Sequence, residues 1–241
     1  MRRFLAILLL LPLSTSAAPR WWKRIILRQK EENRGMRYDR GANEAAALSA
    51  LELLGQELKW FRLDDSVMGG QSETTHSSEG ERLHFQGIIN TDGGGFCSIR
   101  AKLQQGFDED VTGIRLKFIG DGKTYKVTLS NGKSSIGESP SWQTDLPTLS
   151  GKEQTVVLPL SDLTPSFGGR PSSRPSAEEL AKYKLDPSSI QEIGLMLSLQ
   201  LSDGTPNPKN TFGEGVFPFS LQVKSIEPVR KSKLSRLLSF A

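Results

Sequence analysis

The chain has 241 residues, of which 36% are hydrophobic, and its formal net charge is +4. This length supports one domain with a packed core and excludes a second large domain. The positive charge sits at the ends: residues 1–43 hold ten Lys or Arg against three Asp or Glu, and residues 229–241 add four basic residues and no acidic one. The remainder, residues 44–228, holds 17 basic and 24 acidic residues. Because nucleic-acid-binding domains carry a basic face, we expect no nucleic acid partner.

The first 18 residues have the layout of a secretory signal peptide: a short basic start, an apolar run over residues 4–13, and then small residues. The apolar run is too short to span a bilayer comfortably. Residues 19–43 form a basic leader with no acidic residue before Glu31, a composition typical of organelle presequences and membrane-surface segments. Three destinations therefore stay open: secretion, the mitochondrion, or a plastid reached through the secretory route.

Leucines at helical spacing predict one amphipathic α-helix over residues 44–58. No proline interrupts this stretch, and Asn43 is suited to cap its first turn. We expect the helix to pack against the domain that follows. The leucines concerned are Leu48, Leu51, Leu54 and Leu58.

Beyond Trp60 the apolar period changes from the helical value to two, which predicts strands with one buried face. Short alternating segments separated by Gly, Pro, Asn and Asp favour an antiparallel β-sandwich over residues 59–228. The fold class is therefore mainly β, preceded by one short α-helix and followed by a basic tail at residues 229–241. The alternating sets are Leu83, Phe85 and Ile89; Ile114, Leu116 and Phe118; Tyr125, Val127 and Leu129; Val156, Leu158 and Leu160; Ile193, Leu195, Leu197, Leu199 and Leu201; and Phe217, Phe219, Leu221 and Val223.

A long crossover is predicted between Pro165 and about Pro187. Within it, residues 177–183 form a short helix only if Ser176 caps them.

The sequence contains little that could perform catalysis. The two histidines are His76, placed in a polar loop, and His84, placed on a strand beside Phe85, and no G-x-S-x-G motif surrounds a serine. One cysteine and two histidines make no recognised zinc site. We therefore expect no enzyme activity, no metal and no cofactor.

The single cysteine, Cys97, permits no internal disulfide and is expected to be a small buried thiol on a strand.

Two glycine-rich turns carry the most informative polar residues. Asp64 and Asp65 precede Met68, Gly69 and Gly70, and two interpretations compete: Asp65 accepts hydrogen bonds from the amides of the turn, which we favour, or the pair holds a calcium ion. Met68 either fills a gap in the core or forms an exposed contact for a partner.

The second turn, residues 93–95, is not a phosphate loop, because a strand follows it and no Lys-Ser/Thr pair does. Arg100 ends that strand, and we expect it to pair with Asp64 or Asp65 across the sandwich. If that pair is buried, Arg100→Ala leaves an unpaired charge that costs roughly 3–5 kcal/mol.

A further candidate surface patch combines Trp142 with the loop that holds Phe167 and Arg170. Aromatic and arginine side chains anchor many protein interfaces, and sugar sites also use an exposed ring. Core packing of Trp142 is an equal alternative.

The stretch from Trp60 to Arg100 resembles the family of complex I intermediate-associated protein 30, whose domain opens with a tryptophan and a D-x-V-M-G-G-x-S motif followed by a G-G-F-x-S-x-R strand. The resemblance continues downstream and covers about residues 59–228. Two departures are Cys97, where a small residue such as Ala is usual, and a long polar insert over residues 201–215. The matching residues are Trp60, Asp65, Val67, Met68, Gly69, Gly70, Ser72, Gly94, Gly95, Phe96, Ser98 and Arg100.

The resemblance implies a jelly roll of the galactose-binding type and a non-catalytic assembly factor that binds intermediates of complex I (NADH:ubiquinone oxidoreductase) at the mitochondrial inner membrane. The basic termini would then contact anionic lipid. Two alternatives remain: a plastid relative that acts in photosystem biogenesis, and a carbohydrate- or calcium-binding module on the secretory route.

Overall fold

The structure is a computed structural model that describes residues 52–53, 55–79, 82–132, 140–167, 178 and 183–231. The described residues form strands joined by turns and short 3₁₀ helices. Among these residues, no helix has the length and apolar character needed to cross a bilayer. The strands are β1 Glu52–Leu53, β2 Gln56–Glu57, β3 Trp60–Arg62, β4 Glu73–Glu79, β5 Arg82–Asn90, β6 Phe96–Lys102, β7 Val111–Ile119, β8 Thr124–Ser130, β9 Ser141–Pro147, β10 Glu153–Pro159, β11 Thr164–Ser166, β12 Glu192–Ser198 and β13 Val216–Arg230.

Two antiparallel sheets make up the domain. One has five strands in the order β10-β7-β13-β5-β4, and the other has six in the order β11-β9-β8-β12-β6-β3. Inward-facing side chains of both sheets form one continuous apolar core. The predicted antiparallel β-sandwich is confirmed.

The core is centred on aromatic rings from both sheets. Phe85 meets Phe219 edge to face at 4.9 Å between ring centroids, and Tyr125 approaches Phe85 at 6.1 Å. All three side chains were predicted to face inward from the alternation of their strands, and all three are buried. The predicted alternation is wrong at Leu199 and Leu201, because β12 ends at Ser198 and Leu199 is 43% exposed.

The predicted helix over residues 44–58 is wrong at its carboxyl end. β1 and β2 pair as a two-residue hairpin whose turn contains Gly55 at φ 72°, a left-handed conformation that ends a helix. The buried leucines of this stretch, Leu53 and Leu58, pack into the sandwich core. Residues 44–51 lie outside the described residues, as does most of the helix predicted at residues 177–183.

The last strand extends past the predicted domain end at Pro228. Val229 and Arg230 continue the ladder with β7, opposite Gly113 and Val111. The Arg230 guanidinium also pairs with Asp108 and Asp110. The sheet thus includes the first two residues of the predicted basic tail.

Five connections adjoin at one end of the sandwich, which we call the loop end. Backbone hydrogen bonds join residues 91–95 to 199–215 (Thr91 to Gly215, Leu199 to Gly95) and 148–152 to 120–123 (Gly151 to Gly120), and Thr124, at the start of β8, to Thr211. Residues 63–72 adjoin 91–95 through the Gly95 amide, which donates to the Asp65 carboxylate. The predicted glycine turns therefore lie at the same end as the long polar insert. The five connections are residues 63–72, 91–95, 120–123, 148–152 and 199–215.

Leu58→Ala tests whether the segment before Trp60 belongs to the core. Leu58 is fully buried, so its truncation is expected to lower the free energy of unfolding by about 2–5 kcal/mol. Leu149→Ala is the control, because Leu149 is 54% exposed and its loss should change stability by less than about 0.5 kcal/mol. Urea denaturation measures both, and equal effects would show that residues 52–58 are peripheral.

Candidate functional site

Two adjacent aspartates lie buried at the loop end. Asp64 is 6% exposed and Asp65 is fully buried. They occupy the junction between β3 and a one-turn 3₁₀ helix, Asp65–Met68. Burying a carboxylate is unfavourable unless hydrogen-bond donors replace water around it, so the donors around these two side chains define the site.

Asp65 joins three parts of the chain through its carboxylate. Oδ1 accepts the Ser72 amide at 2.9 Å, and Oδ2 accepts the Ser72 hydroxyl and the Gly95 amide, both at 2.6 Å. The Phe96 amide donates to Oδ2 at 3.3 Å. The predicted bonds from the amides of the Met-Gly-Gly turn are wrong in detail, because the Gly70 amide donates to the Asp65 backbone carbonyl instead. The carboxylate is thus held by the residue before the next strand and by the second glycine turn.

Asp64 makes a parallel set of contacts. Its carboxylate accepts the Thr74 amide at 3.0 Å, the Thr74 hydroxyl, and the Ser98 amide at 3.4 Å. The Ser98 hydroxyl donates to the carbonyl of Leu63, the residue before Asp64. Because Thr74 lies on β4 and Ser98 on β6, this carboxylate connects the two sheets.

The glycines of both motifs are explained by their distance from Asp65. A Cβ added to Gly70 or to Gly94 would overlap the Asp65 carboxylate. Gly69 ends the 3₁₀ helix at φ 88°, a conformation that favours glycine. At Gly95, with φ 134°, an added Cβ would also overlap the Leu199 side chain. The residues that resemble the family motif therefore enclose one buried carboxylate.

The expected pairing of Arg100 with Asp64 or Asp65 is wrong. Arg100 pairs with Glu192 on β12, at 3.1 Å between Nη1 and Oε1, and Ser130 also donates to that Glu192 oxygen. Both charged side chains are partly exposed, at 22% and 16%. Arg100 lies opposite Gly194 on the neighbouring strand, where an added Cβ would approach the Arg100 stem. The cost predicted for Arg100→Ala was that of an unpaired Asp64 or Asp65, so it does not apply: both aspartates keep their hydrogen bonds, and the variant instead leaves Glu192 with the Ser130 hydroxyl.

The geometry favours the hydrogen-bonded turn over a calcium site. All four carboxylate oxygens of Asp64 and Asp65 accept bonds from protein N–H or O–H groups. A hard cation requires six to eight oxygen ligands and would have to displace those donors. In the part of the chain that the structure describes, no group of three His, Cys, Asp or Glu side chains is arranged to hold a metal.

The second candidate patch does not join this site. Trp142 is 5% exposed and belongs to the core, which supports the alternative that it packs internally. Among the described residues, its indole nitrogen has no hydrogen-bond partner, and neither has that of Trp60, which is partly buried against the core. Phe167 contacts the Tyr183 ring at 5.0 Å between centroids. Arg170 lies outside the described residues.

Cys97 and His76 are both shielded. Cys97 is fully buried, and burial raises the pKa of its thiol far above its ordinary value. His76 lies on β4 and not in a loop as predicted. Burial, and next the charge of Arg62, lower the pKa of His76 below its ordinary 6.5.

Exposed apolar side chains adjoin the aspartate network. Val67 and Met68, on the 3₁₀ helix that Asp65 begins, are 65% and 68% exposed. Leu199 and Val216 are 43% and 52% exposed. Met68 therefore does not fill a gap in the core, and its role as a contact for a partner stays a prediction. We call Val67, Met68, Leu199 and Val216 the apolar loop patch. Leu199 was predicted to alternate with the buried leucines before it, and no motif marks Val216; only their position at strand ends beside the insert could have suggested their exposure.

The polar insert between Leu199 and Val216 is packed and not free. The Ser202 amide and hydroxyl donate to Asp145 at 2.8 and 2.9 Å. The Asn207 side chain donates to the backbone carbonyls of Thr124 and Ser198 at 3.0 and 3.1 Å. These bonds hold the insert against the six-stranded sheet and keep Leu199 beside Gly95.

Gly94→Ala tests the role of the buried carboxylate. The added methyl group would overlap Asp65, whose four hydrogen bonds keep it from moving, so a loss of roughly 3 kcal/mol or more in unfolding free energy is expected. Gly93→Ala is the matched control: its φ of 75° is strained for alanine, but no atom of the described residues lies within 4 Å, so about 1–2 kcal/mol is expected. Equal losses in chemical denaturation would contradict the overlap.

Acidification is expected to destabilise the domain through His76. Its folded-state pKa lies below the unfolded value near 6.5, so the unfolded chain binds the proton first. The stabilising contribution is complete above pH 6.5 and decreases as the pH falls through that value. Thermal unfolding between pH 7.5 and 5 should show a weaker pH dependence for His76→Gln than for the wild type. An equal pH dependence in the variant and the wild type would exclude His76 as the source of the acid destabilisation.

Similarity to solved structures is distant. A family 11 carbohydrate-binding module of the cellulosomal cellulase Lic26A-Cel5E of Clostridium thermocellum is 12% identical, with 73% of this chain and 90% of that chain covered at a TM-score of 0.44. A carbohydrate-binding module of family 29 is 9% identical, with coverages of 70% and 79% and a TM-score of 0.34.

Comparison by sequence is more informative. An uncharacterized protein of Schizosaccharomyces pombe is 31% identical, over 61% of this chain and 74% of that protein. The model of the family described as complex I intermediate-associated protein 30 matches residues 51–223, a range that contains the aspartate network, both glycine turns and the whole apolar loop patch. The chain belongs to the complex I intermediate-associated protein 30 family.

Proposed function

We propose that this protein is a non-catalytic assembly factor that binds partly built complex I. The observation that carries the proposal is the family match over residues 51–223. The geometry supports it: the motif residues enclose a buried carboxylate that holds a turn in place, and that turn presents side chains to solvent. Such an arrangement is suited to binding a partner, because an ordered surface loses little conformational freedom when it docks.

The absence of enzyme activity is part of this proposal. Among the described residues, the charged groups of the motifs serve structure: Asp64 and Asp65 accept hydrogen bonds from the fold, and Arg100 pairs with Glu192. Catalytic carboxylates need access to a substrate, and those of Asp64 and Asp65 are turned toward backbone amides. Hydrogen bonding within the protein thus explains why the Asp64 and Asp65 carboxylates are buried.

We further propose that the protein acts at the mitochondrial inner membrane, where the basic ends of the chain contact anionic lipid. Residues 1–43 and 232–241 lie outside the described residues, so this part rests on composition and on the family. The signal-peptide layout of residues 1–18 favours a second candidate, a plastid relative that reaches its compartment through the secretory route.

Depletion of the protein tests the assembly role. Respiratory membranes from depleted cells, separated on a native gel and stained for complex I activity, are expected to lose the mature complex and to accumulate smaller membrane-arm intermediates. Re-expression of the full chain should restore the mature band, and the band of ATP synthase in the same lanes serves as the internal control.

Unchanged complex I in depleted cells would contradict the proposal. The plastid alternative makes two different predictions. A full chain tagged at its carboxyl end and re-expressed in these cells would be found in plastids. The depleted cells would contain smaller amounts of the photosystem complexes on the native gel.

A further inference from the structure

We infer that the apolar loop patch is the surface on which a protein partner docks, and that the partner offers an apolar groove with a positively charged rim. The inference rests on the proposed function and names the surface and the partner chemistry that this function would use. Three properties of the patch carry it: exposure, rigidity and the charge of its surroundings.

Exposure is concentrated in one turn. Val67 and Met68 are consecutive residues, and each leaves about two thirds of its surface in contact with solvent. Single exposed apolar side chains are common on protein surfaces, whereas a contiguous set marks an interaction site. Here the turn adjoins Leu199, because Asp65 accepts the Gly95 amide and Leu199 packs on Gly95.

The end of the insert that carries Val216 is linked to the Asp65 network through Asn90. Asn90 pairs with Val216 at the start of β13, and its amide donates to the Ser72 hydroxyl at 3.0 Å. That hydroxyl is bound to Asp65. The loops that carry the four exposed side chains are therefore connected through one buried carboxylate.

Rigidity follows from the same contacts. The backbone of the turn is closed by bonds from the Val67 amide to the Asp64 carbonyl and from the Gly69 amide to the Ser66 carbonyl, at 3.3 and 3.2 Å. Without a buried Asp65, two solvated apolar residues in a loop connection would sample many conformations. A fixed backbone beneath an unbranched, adaptable methionine side chain suits an anchor that enters a groove.

Charge decides the kind of partner. The five connections of the loop end hold six acidic and three basic residues. Asp64 and Asp65 are buried, so four of the acids are left to form the rim of the patch, and of these Asp92 is exposed in the loop next to Gly95. An anionic lipid surface would be repelled by this end of the molecule, whereas a basic protein surface would be attracted. The occupant that fits is therefore a protein groove lined by apolar side chains and rimmed by Lys or Arg.

Cross-linking from the patch identifies what covers it. The full chain with a photoreactive amino acid at position 68 is expressed in cells that lack the native protein, irradiated, and separated on a native gel. A covalent adduct with a membrane-arm subunit of complex I, identified by mass spectrometry within an intermediate band, is expected. The same label at position 149 is the matched control, since Leu149 is also an exposed loop-end residue but lies on the connection from β9 to β10. An adduct with lipid at position 68 would overturn the inference.

Substitution measures the contribution of the patch. The double variant Val67→Ser, Met68→Ser should lower the amount of protein that comigrates with intermediates by tenfold or more, as expected for interface anchors (~10-fold for each anchor lost). Leu149→Ser should leave it unchanged. Asp92→Lys changes charge and no apolar contact, and it should also reduce comigration, most clearly at low ionic strength. Thermal unfolding of each variant, compared with that of the wild type, verifies that the fold is kept.

The outcomes distinguish failure of the docking surface from failure of the assembly role. If the wild type comigrates with intermediates and the double variant comigrates equally well, the assembly role stands and the patch is excluded as the docking surface. If the wild type itself never comigrates with them, the assembly role fails and this inference fails with it.

Discussion

The buried carboxylate of Asp65 is the interaction on which the loop end depends. It replaces water with four donors from Ser72, Gly95 and Phe96, so that the 3₁₀ helix, the start of β4 and the second glycine turn are fixed by one group. Hydrogen bonds to a charged acceptor are stronger than those between neutral groups, and leaving their donors unsatisfied in the interior is costly. The turn therefore has one conformation as long as this carboxylate stays bound.

The glycines follow from that constraint. Gly70 and Gly94 lie against the carboxylate, where any side chain would displace it. Glycine is usually unfavourable because it loses more backbone freedom on folding than other residues. Here glycine is required at Gly70 and Gly94 because no space is left for a side chain. At Gly69 and Gly95 it is required because the backbone has a positive φ. The motif by which the chain resembles its family is thus a packing solution around one acidic side chain, and its chemistry is structural.

This organisation separates the part of the site that holds the fold from the part that faces a partner. Asp64, Asp65 and Ser72 are buried, whereas Val67 and Met68 between them are open to solvent. A substitution at the first set is expected to act through folding, and one at the second set through binding. Arg100 belongs to neither set, since its partner Glu192 lies at the end of β12 that pairs with Lys102, whereas Asp65 binds beside Phe96 at the opposite end of β6.

The sequence by itself determined the strands, the sandwich and the family, because alternation with a period of two is a local property that each strand carries in its own residues. It failed at residues 52–58, where β1 and β2 form a hairpin in place of the predicted end of a helix, since a left-handed Gly55 and the tertiary burial of Leu53 and Leu58 override local periodicity. Only the tertiary structure decided which donors Asp65 binds, which acid pairs with Arg100, and whether Met68 faces the core or the solvent. These contacts join residues 30 and 92 positions apart, and strand register, which selects among such distant partners, is set by the packing of the whole core.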